Sequence, residues 1–322
     1  MRLDATTDIV ISEDTPILSF IEDIESLPNG DFVIASGRDR VVLYVPANAS
    51  DVRQIGRAGQ GPGEYLGPVL ARARGDTLLV RDGSGGRTIF YRLSSGESLS
   101  KSINIQTALQ DIVFGDYQLT LYYRGQREGE PFLGHYDLQN GRTTEVENTE
   151  TSSEHSVLRT YAGSGGLAAK GNHVYFAAPD EPVLMKLDLT TETTTSVEIR
   201  DEDFVVNPTS PDMRNDWSAT VRYITSNSRV CGILALDDYI VVQVEHGPTE
   251  EERWLKWHVF SHSLEYVDTL MMDVAMRHEL GLEHNGRFLA SRGNALYTTR
   301  TVNHSAGEFQ WAIWQWRLSS SE

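Results

Sequence analysis

Runs rich in Val, Ile, Leu, Tyr and Phe alternate with Gly, Asn, Asp and Ser clusters along the whole chain, and almost no segment keeps a helical period for three turns. Such short β-branched and aromatic runs between turn residues predict strands, and their recurrence predicts an all-β fold. One device repeats: a tight turn followed at once by an apolar run, in NGDFVIAS, RGDTLLVRD, FGDYQLTLYY, KGNHVYFAA, LDDYIVVQV and RGNALYTTR. The turn residues are Gly30, Gly75, Gly115, Gly171, Asp237 and Gly293, spaced by 45, 40, 56, 66 and 56 residues. Gly followed by Asp or Asn suits the positive backbone dihedrals of a two-residue hairpin, and Asp237 stays within the residues that tolerate them. Each turn is therefore expected to join two antiparallel strands.

Two more strand-like runs follow each hairpin, as in DRVVLYV then DVRQIGR, or RTIFYRL then ESLSKSINI. Four strands in roughly 40–55 residues is the period of a propeller blade. The run after each turn is continuously apolar (FVIA, TLLV, VYFAA) rather than alternating, as expected of strands covered on both faces. The pattern predicts an all-β, six-bladed β-propeller with four antiparallel strands per blade, a single domain over 1–322. Its blades fall at about 17–57, 67–105, 107–147, 156–199, 229–273 and 285–318. The sixth unit supplies only three strands, whereas TDIVIS (7–12) precedes the first unit as an orphan. Pairing that orphan with the last blade closes the ring and removes an exposed edge. Trp311, Trp314 and Trp316 then belong to the closing strand pair.

Composition narrows the function classes. With 46 Asp and Glu against 28 Lys and Arg, the net charge of -18 repels nucleic acid and anionic lipid. Only four basic residues are Lys (Lys101, Lys170, Lys186, Lys256), so the rest are Arg, and an acid-rich, Lys-poor surface suits a salty medium or is simply soluble. The lone Cys231, in VCGILAL, excludes an intrachain disulfide and reads as a buried thiol. No run approaches a membrane span, and the opening MRLDATTDIVISED lacks the layout of a signal peptide.

The stretch IGRAGQGPGEYLGP (55–68) carries a G-x-G-P-G-E-[FY] loop in Gly59, Gly61, Pro62, Gly63, Glu64 and Tyr65. With the preceding FIEDIESLPNGDFVIAS it resembles the first blade of bacterial six-bladed propeller proteins related to the NHL-type repeat, over about residues 17–92. The resemblance implies a six-bladed propeller of the kind often exported or lipid-anchored, and brings no catalytic residues. The expected location is periplasmic or extracellular, with the export signal absent from this chain; a cytoplasmic location stays open. On the residues themselves the loop reads as a structural corner between blades one and two: glycines allow the tight path, Glu64 accepts backbone N–H groups and Tyr65 packs between blades.

Fold does not supply function, so candidate chemistry is read site by site. The string RHELGLEHNG (277–286) fails as a zincin helix, because His278 and His284 are six apart. In a propeller the crossings between blades and the loops between second and third strands share one face. That face is expected to gather Arg38, Arg57, Arg124, Arg229, His246 and His304, with Tyr65 beside them. The longest crossing, about 200–229, offers Trp217, Arg222 and Tyr223 for a lid. Arginines over the mouth of an acidic protein favour an anionic small molecule, and a glycan or protein partner is equally open. A calcium hydrolase or lyase of the gluconolactonase or paraoxonase kind needs converging oxygen donors instead, for which Glu22, Asp23, Asp111 and Asn285 are the candidates. A protein-interaction scaffold is the third reading. No cofactor is predicted, calcium belonging only to the hydrolase alternative.

Overall fold

A computed structural model describes residues 1–11, 18–104, 109–115, 118–123, 133–147, 166–206, 216–247, 254–272, 287–303 and 309–319. Six four-stranded antiparallel sheets follow one another along the chain. Blade one holds β2 (Asp23–Ser26), β3 (Phe32–Ser36), β4 (Val41–Val45) and β5 (Arg53–Gln54), after β1 (Arg2–Val10). A short parallel pair, β6 (Arg57–Ala58) and β7 (Glu64–Tyr65), leads to blade two: β8 (Pro68–Arg74), β9 (Thr77–Asp82), β10 (Arg87–Arg92) and β11 (Ser98–Asn104). Blade three is β12 (Leu109–Phe114), β13 (Gln118–Tyr123), β14 (Leu133–Asp137) and β15 (Thr143–Glu147). Blade four is β16 (Gly166–Lys170), β17 (His173–Ala177), β18 (Val183–Asp188) and β19 (Thr193–Glu198). The helix α1 (Trp217–Ser226) precedes blade five, β20 (Arg229–Ala235), β21 (Ile240–His246), β22 (Trp254–Phe260) and β23 (Tyr266–Met272). Blade six is β24 (Ala290–Arg292), β25 (Ala295–Asn303), β26 (Phe309–Ser319) and β1.

The ring closes through the amino-terminal strand. β1 runs antiparallel to β26 from Arg2↔Ser319 to Val10↔Ala312, so the strand expected at 7–12 begins earlier, at Arg2. The first strands of successive blades touch in cyclic order, β2–β8–β12–β16–β20–β24 and back to β2, which makes them the lining of a central axis.

The turn-then-apolar device has the expected outcome at four of its six copies. Gly30, Gly75, Gly171 and Gly293 take φ of +102°, +55°, +57° and +60°, the left-handed region that glycine enters without steric cost. Gly115 and Asp237 turn without it, closing instead through Gly115 N–H to the Gln118 carbonyl at 2.9 Å and Leu236 N–H to that of Tyr239 at 2.8 Å. The strand after each turn is buried on both faces: all of Phe32–Ser36 and all of Ile240–His246.

That double burial has a simple cause. Six apolar clusters lie one at each junction between neighbouring blades, such as Val33, Val42, Tyr65, Val80 and Tyr91 between one and two, or Tyr175, Ile199, Val242 and Phe260 between four and five. Trp311 and Trp316 are buried in the clusters flanking blade six. Cys231 is buried, as its run suggests.

The 200–229 crossing contains a helix that strand periodicity does not announce. Asp216 caps it, its carboxylate accepting the Ala219 N–H at 2.8 Å. Thr220 and Tyr223 are buried, while Trp217, Val221 and Arg222 are exposed.

Candidate functional site

The axis is a cavity of about 800 Å3 lined by the first strand of every blade. Its wall is divided by chemistry. Blades one to three contribute Glu22, Asp23, Glu25, Arg72, Arg81 and Asp111, and blade six adds Arg287. Blades four and five contribute only Gly, Ala, Leu and Ile from their first strands, including Leu167, Ala169 and Ile233.

The polar half is built on unpaired strand edges. Residues Asp23 and Glu25 alternate along β2, so both side chains face β8 of the next blade. Asp23 accepts the Ala71 N–H at 2.8 Å and Glu25 accepts the Ala73 N–H at 3.1 Å, groups on the open inner edge of β8. Arg72 then reaches across the junctions: Nη1 donates to Asp23 Oδ2 at 2.7 Å and to the Ala71 carbonyl at 2.7 Å, and Nη2 donates to Asp111 Oδ1 at 2.7 Å.

Burial works against the Arg72 charge, yet Asp23, Asp111 and Glu25 outweigh it and raise its pKa. Burial likewise pushes Glu25 up to about 7 and raises Asp111, with Arg72 opposing both shifts. A carboxyl that titrates near neutrality inside a cavity is suited to exchanging protons or to sensing a bound charge.

The oxygen donors expected from blades one and three thus do converge on the axis, but around a guanidinium. Glu22 is held apart from that guanidinium, accepting Gly37 N–H at 2.8 Å and Arg38 N–H at 3.2 Å. Asn285 lies outside the described residues. Among the described residues, no group of three or more His, Cys, Asp or Glu side chains is placed to hold a metal ion.

The predicted arginine mouth is dispersed. Arg38 is exposed, its guanidinium 5.3 Å from the Phe20 ring centroid, and Arg57 is exposed and paired with Glu64 at 2.6 Å; neither lines the cavity. Tyr65 has no accessible surface: its hydroxyl donates to the Ile55 carbonyl at 2.8 Å and accepts the Val42 N–H at 3.1 Å, a packing role rather than a ligand contact. Around it Gly59, Gly61, Pro62, Gly63 and Glu64 close the corner, Glu64 accepting the Gly61 N–H at 2.8 Å. Trp217 and Arg222 are on the exposed side of α1, and Tyr223 is packed beneath it. Arg124, His304 and the 277–286 string lie outside the described residues.

Arg229 and His246 belong to a second polar cluster, at the crossing from blade four to five. Arg229 is bonded to Glu245 through Nε at 2.8 Å and Nη2 at 2.6 Å. The buried Asp201 accepts from His246 Nε2 at 2.9 Å, His258 Nε2 at 2.8 Å and Lys256 Nζ at 2.6 Å. Burial would raise the Asp201 pKa, but these three partners hold it far below the usual carboxylate range. Ser228 Oγ lies 2.9 Å from His246 Nδ1, completing a Ser–His–Asp chain. That chain is a fastener rather than a nucleophile relay: all three side chains are buried, and Ser228 Oγ also accepts the Val205 N–H and donates to the Asp203 carbonyl. The cluster ties the start of the crossing to its end and to β21 and β22.

No protein-family model and no curated protein matches the sequence. Solved structures do match the fold. A member of the DUF4221 family from Bacteroides vulgatus superposes with a TM-score of 0.70 at 10% identity, covering 99% of each chain. A Bacteroides fragilis protein assigned to export superposes equally well, at 0.70 and 11% identity over 99% of this chain and 96% of that one. Virginiamycin B lyase from Staphylococcus aureus reaches 0.53 at 10% identity, covering 99% of this chain and all of its own. At these identities the likeness concerns the propeller fold. No helix among the described residues is long and apolar enough to cross a membrane.

Proposed function

We propose that this propeller binds one small amphipathic molecule in its axial cavity. The observation that carries the reading is the wall itself: about 800 Å3, within the size range of ligand sites, with ionisable groups on one half and aliphatic side chains on the other. The anionic ligand expected from sequence is not favoured, because Arg38 and Arg57 stand outside the cavity, Arg72 is already committed to two carboxylates, and on the wall Glu22, Asp23, Glu25 and Asp111 outnumber Arg72, Arg81 and Arg287. The likeness to an exported Bacteroides protein and the first-blade loop both support a periplasmic or extracellular location.

A second reading, a lyase acting by proton transfer, is favoured by Glu25: a cavity carboxyl tuned to about 7 suits general acid–base work, and one propeller of similar fold is a lyase. Ligand-observed NMR with a fragment library tests the binding reading. Ala169 is exposed on the cavity wall, so Ala169→Trp projects an indole into the channel with little cost to packing. Axial ligands are lost from that variant; fragments that bind it as well as the parent would refute the site.

A further inference from the structure

We propose that the axial cavity selects molecules carrying a protonated amine, which seats against Glu25 while the apolar remainder lies over blades four and five. The inference rests on the reading of the axis as a ligand site, and adds the chemical class. It follows from which hydrogen-bonding capacity the wall has left. The Arg72 fork is used on Asp23, Asp111 and the Ala71 carbonyl. Gln243, also on the wall, is used on both sides: Nε2 donates to the Phe288 carbonyl at 2.9 Å, and Oε1 accepts from Phe288 N–H at 2.7 Å and Trp257 Nε1 at 3.2 Å. Glu22 accepts two backbone N–H groups, Arg287 donates to the Cys231 carbonyl, and Arg287 Nε and Arg81 Nη1 are buried out of reach of a ligand.

Glu25 differs from these. Its carboxylate faces the cavity and, among the described residues, makes one hydrogen bond, from Ala73 N–H to Oε1, which leaves Oε2 to accept from a ligand. Three carboxylates, Asp23, Glu25 and Asp111, surround one guanidinium, so the cluster carries excess negative charge when all are ionised. An ammonium group supplies both the missing donor and the missing charge, whereas a carboxylate ligand would face like charge. Across the axis, Leu167, Ala169 and Ile233 offer an aliphatic surface for the rest of the molecule.

Proton linkage gives an independent signature. The groups facing Glu25 are Asp23 on its own strand, Arg72 and the Ala73 N–H on β8, and Asp111 on β12. With its pKa raised to about 7, Glu25 is largely protonated at pH 6, so amine binding there requires release of a proton. Affinity for an amine therefore rises from pH 6 to 8, and affinity for a neutral isostere does not.

The test uses three matched probes, 2-phenylethylamine, 2-phenylethanol and 3-phenylpropanoate, titrated by NMR into the full chain, Glu25→Gln and Ala169→Trp. The Glu25→Gln side chain keeps a carbonyl oxygen to accept the Ala73 N–H, so the strand edge stays satisfied. At pH 8 the amine is expected to bind about ten- to hundredfold tighter than the alcohol, the worth of one charge-assisted hydrogen bond. Glu25→Gln is expected to bring the two within about threefold and to flatten the pH dependence, and Ala169→Trp to abolish both. Preference for the propanoate, or an amine advantage that survives Glu25→Gln, overturns the amine assignment while leaving the axial site standing. Binding unaffected by Ala169→Trp, or no binding by any probe, overturns the site and the assignment together.

Discussion

Replacing Arg72 with Leu removes the one cation bonded to both Asp23 and Asp111, and the size of the effect can be worked from the geometry. The guanidinium makes three hydrogen bonds, two of them to charged oxygens, at 2.7 Å each. Removing one partner of a buried ion pair costs about 3–5 kcal/mol, mostly because the other charge is left uncompensated. Here Arg72, Asp23 and Asp111 retain 19%, 12% and 17% of their side-chain exposure, so cavity water recovers part of that, and a loss of about 2–4 kcal/mol is expected at pH 8. For a chain of this length that corresponds to a fall in Tm of about 3–6 °C. The pH dependence has a definite sign. Glu25 and Asp111 already have raised pKa values in the folded state, and without the opposing Arg72 charge both rise further above their unfolded values. A carboxyl with a raised folded pKa binds its proton more tightly when folded, so stability falls as pH rises through that pKa. The deficit of the variant is therefore larger at pH 8 than at pH 5, where Glu25 is protonated. Urea unfolding followed by tryptophan fluorescence at the two pH values measures it. A deficit below about 1 kcal/mol at pH 8, or one equal at both pH values, would refute the claim that Arg72 neutralises a coupled carboxylate cluster.

Three other predictions concern the corner and the second polar cluster. Gly63 has φ +71°, and a Cβ there would lie 2.5 Å from Ser98 Cβ, so Gly63→Val is expected to cost about 1–3 kcal/mol from backbone strain alone; an unchanged melting temperature would contradict it. Tyr65→Phe leaves the Val42 N–H and the Ile55 carbonyl without the hydroxyl, for a loss of about 1–2 kcal/mol in chemical denaturation. Asp201→Asn removes the charge that His246, His258 and Lys256 share, and is expected to cost about 3–5 kcal/mol at pH 7. Because the folded pKa of Asp201 is depressed, its contribution is complete above the unfolded value and declines only below about pH 4, so melting curves of parent and variant should converge only in acid.

The blade rhythm was legible because each unit repeats a local signal, a glycine turn before an apolar strand, and because local turn chemistry needs no knowledge of the ring. The polar half was read only in part. Glu22, Asp23 and Asp111 stood out as acids on inner strands, but Arg72 binds Asp23 49 positions earlier and Asp111 39 positions later, and only ring closure brings those together. The available signal was period two: Asp23 and Glu25 in DIES, and Arg72 and Arg74 in ARAR, alternate along adjoining inner strands and so share a junction. Arg38 and Arg57 misled because arginines on turns extend outward, where one stacks on Phe20 and the other pairs with Glu64. The Asp201 cluster escaped notice because Lys256 and His258 lie in an otherwise apolar strand, and their partner arrives from the crossing 55 and 57 positions earlier.

The split character of the cavity follows from how closely the inner strands approach one another. Between blades four and five a Cβ on Gly166 would lie 2.6 Å from the Ile233 backbone nitrogen, so the two strands are nearly in contact and leave room only for small or aliphatic residues. Between blades one and two the strands stand far enough apart for a carboxylate to fit between them, and Asp23 and Glu25 use that gap to satisfy the open N–H groups of Ala71 and Ala73. Once acids occupy the gap, a cation must follow to stabilise them, and Arg72 does so for two of the three. Glu25 is the acid without a salt-bridge partner among the described residues. The same spacing that makes the ring asymmetric therefore leaves one carboxyl facing the axis without a salt-bridge partner among the described residues, and it is on that group that the proposed amine selectivity turns.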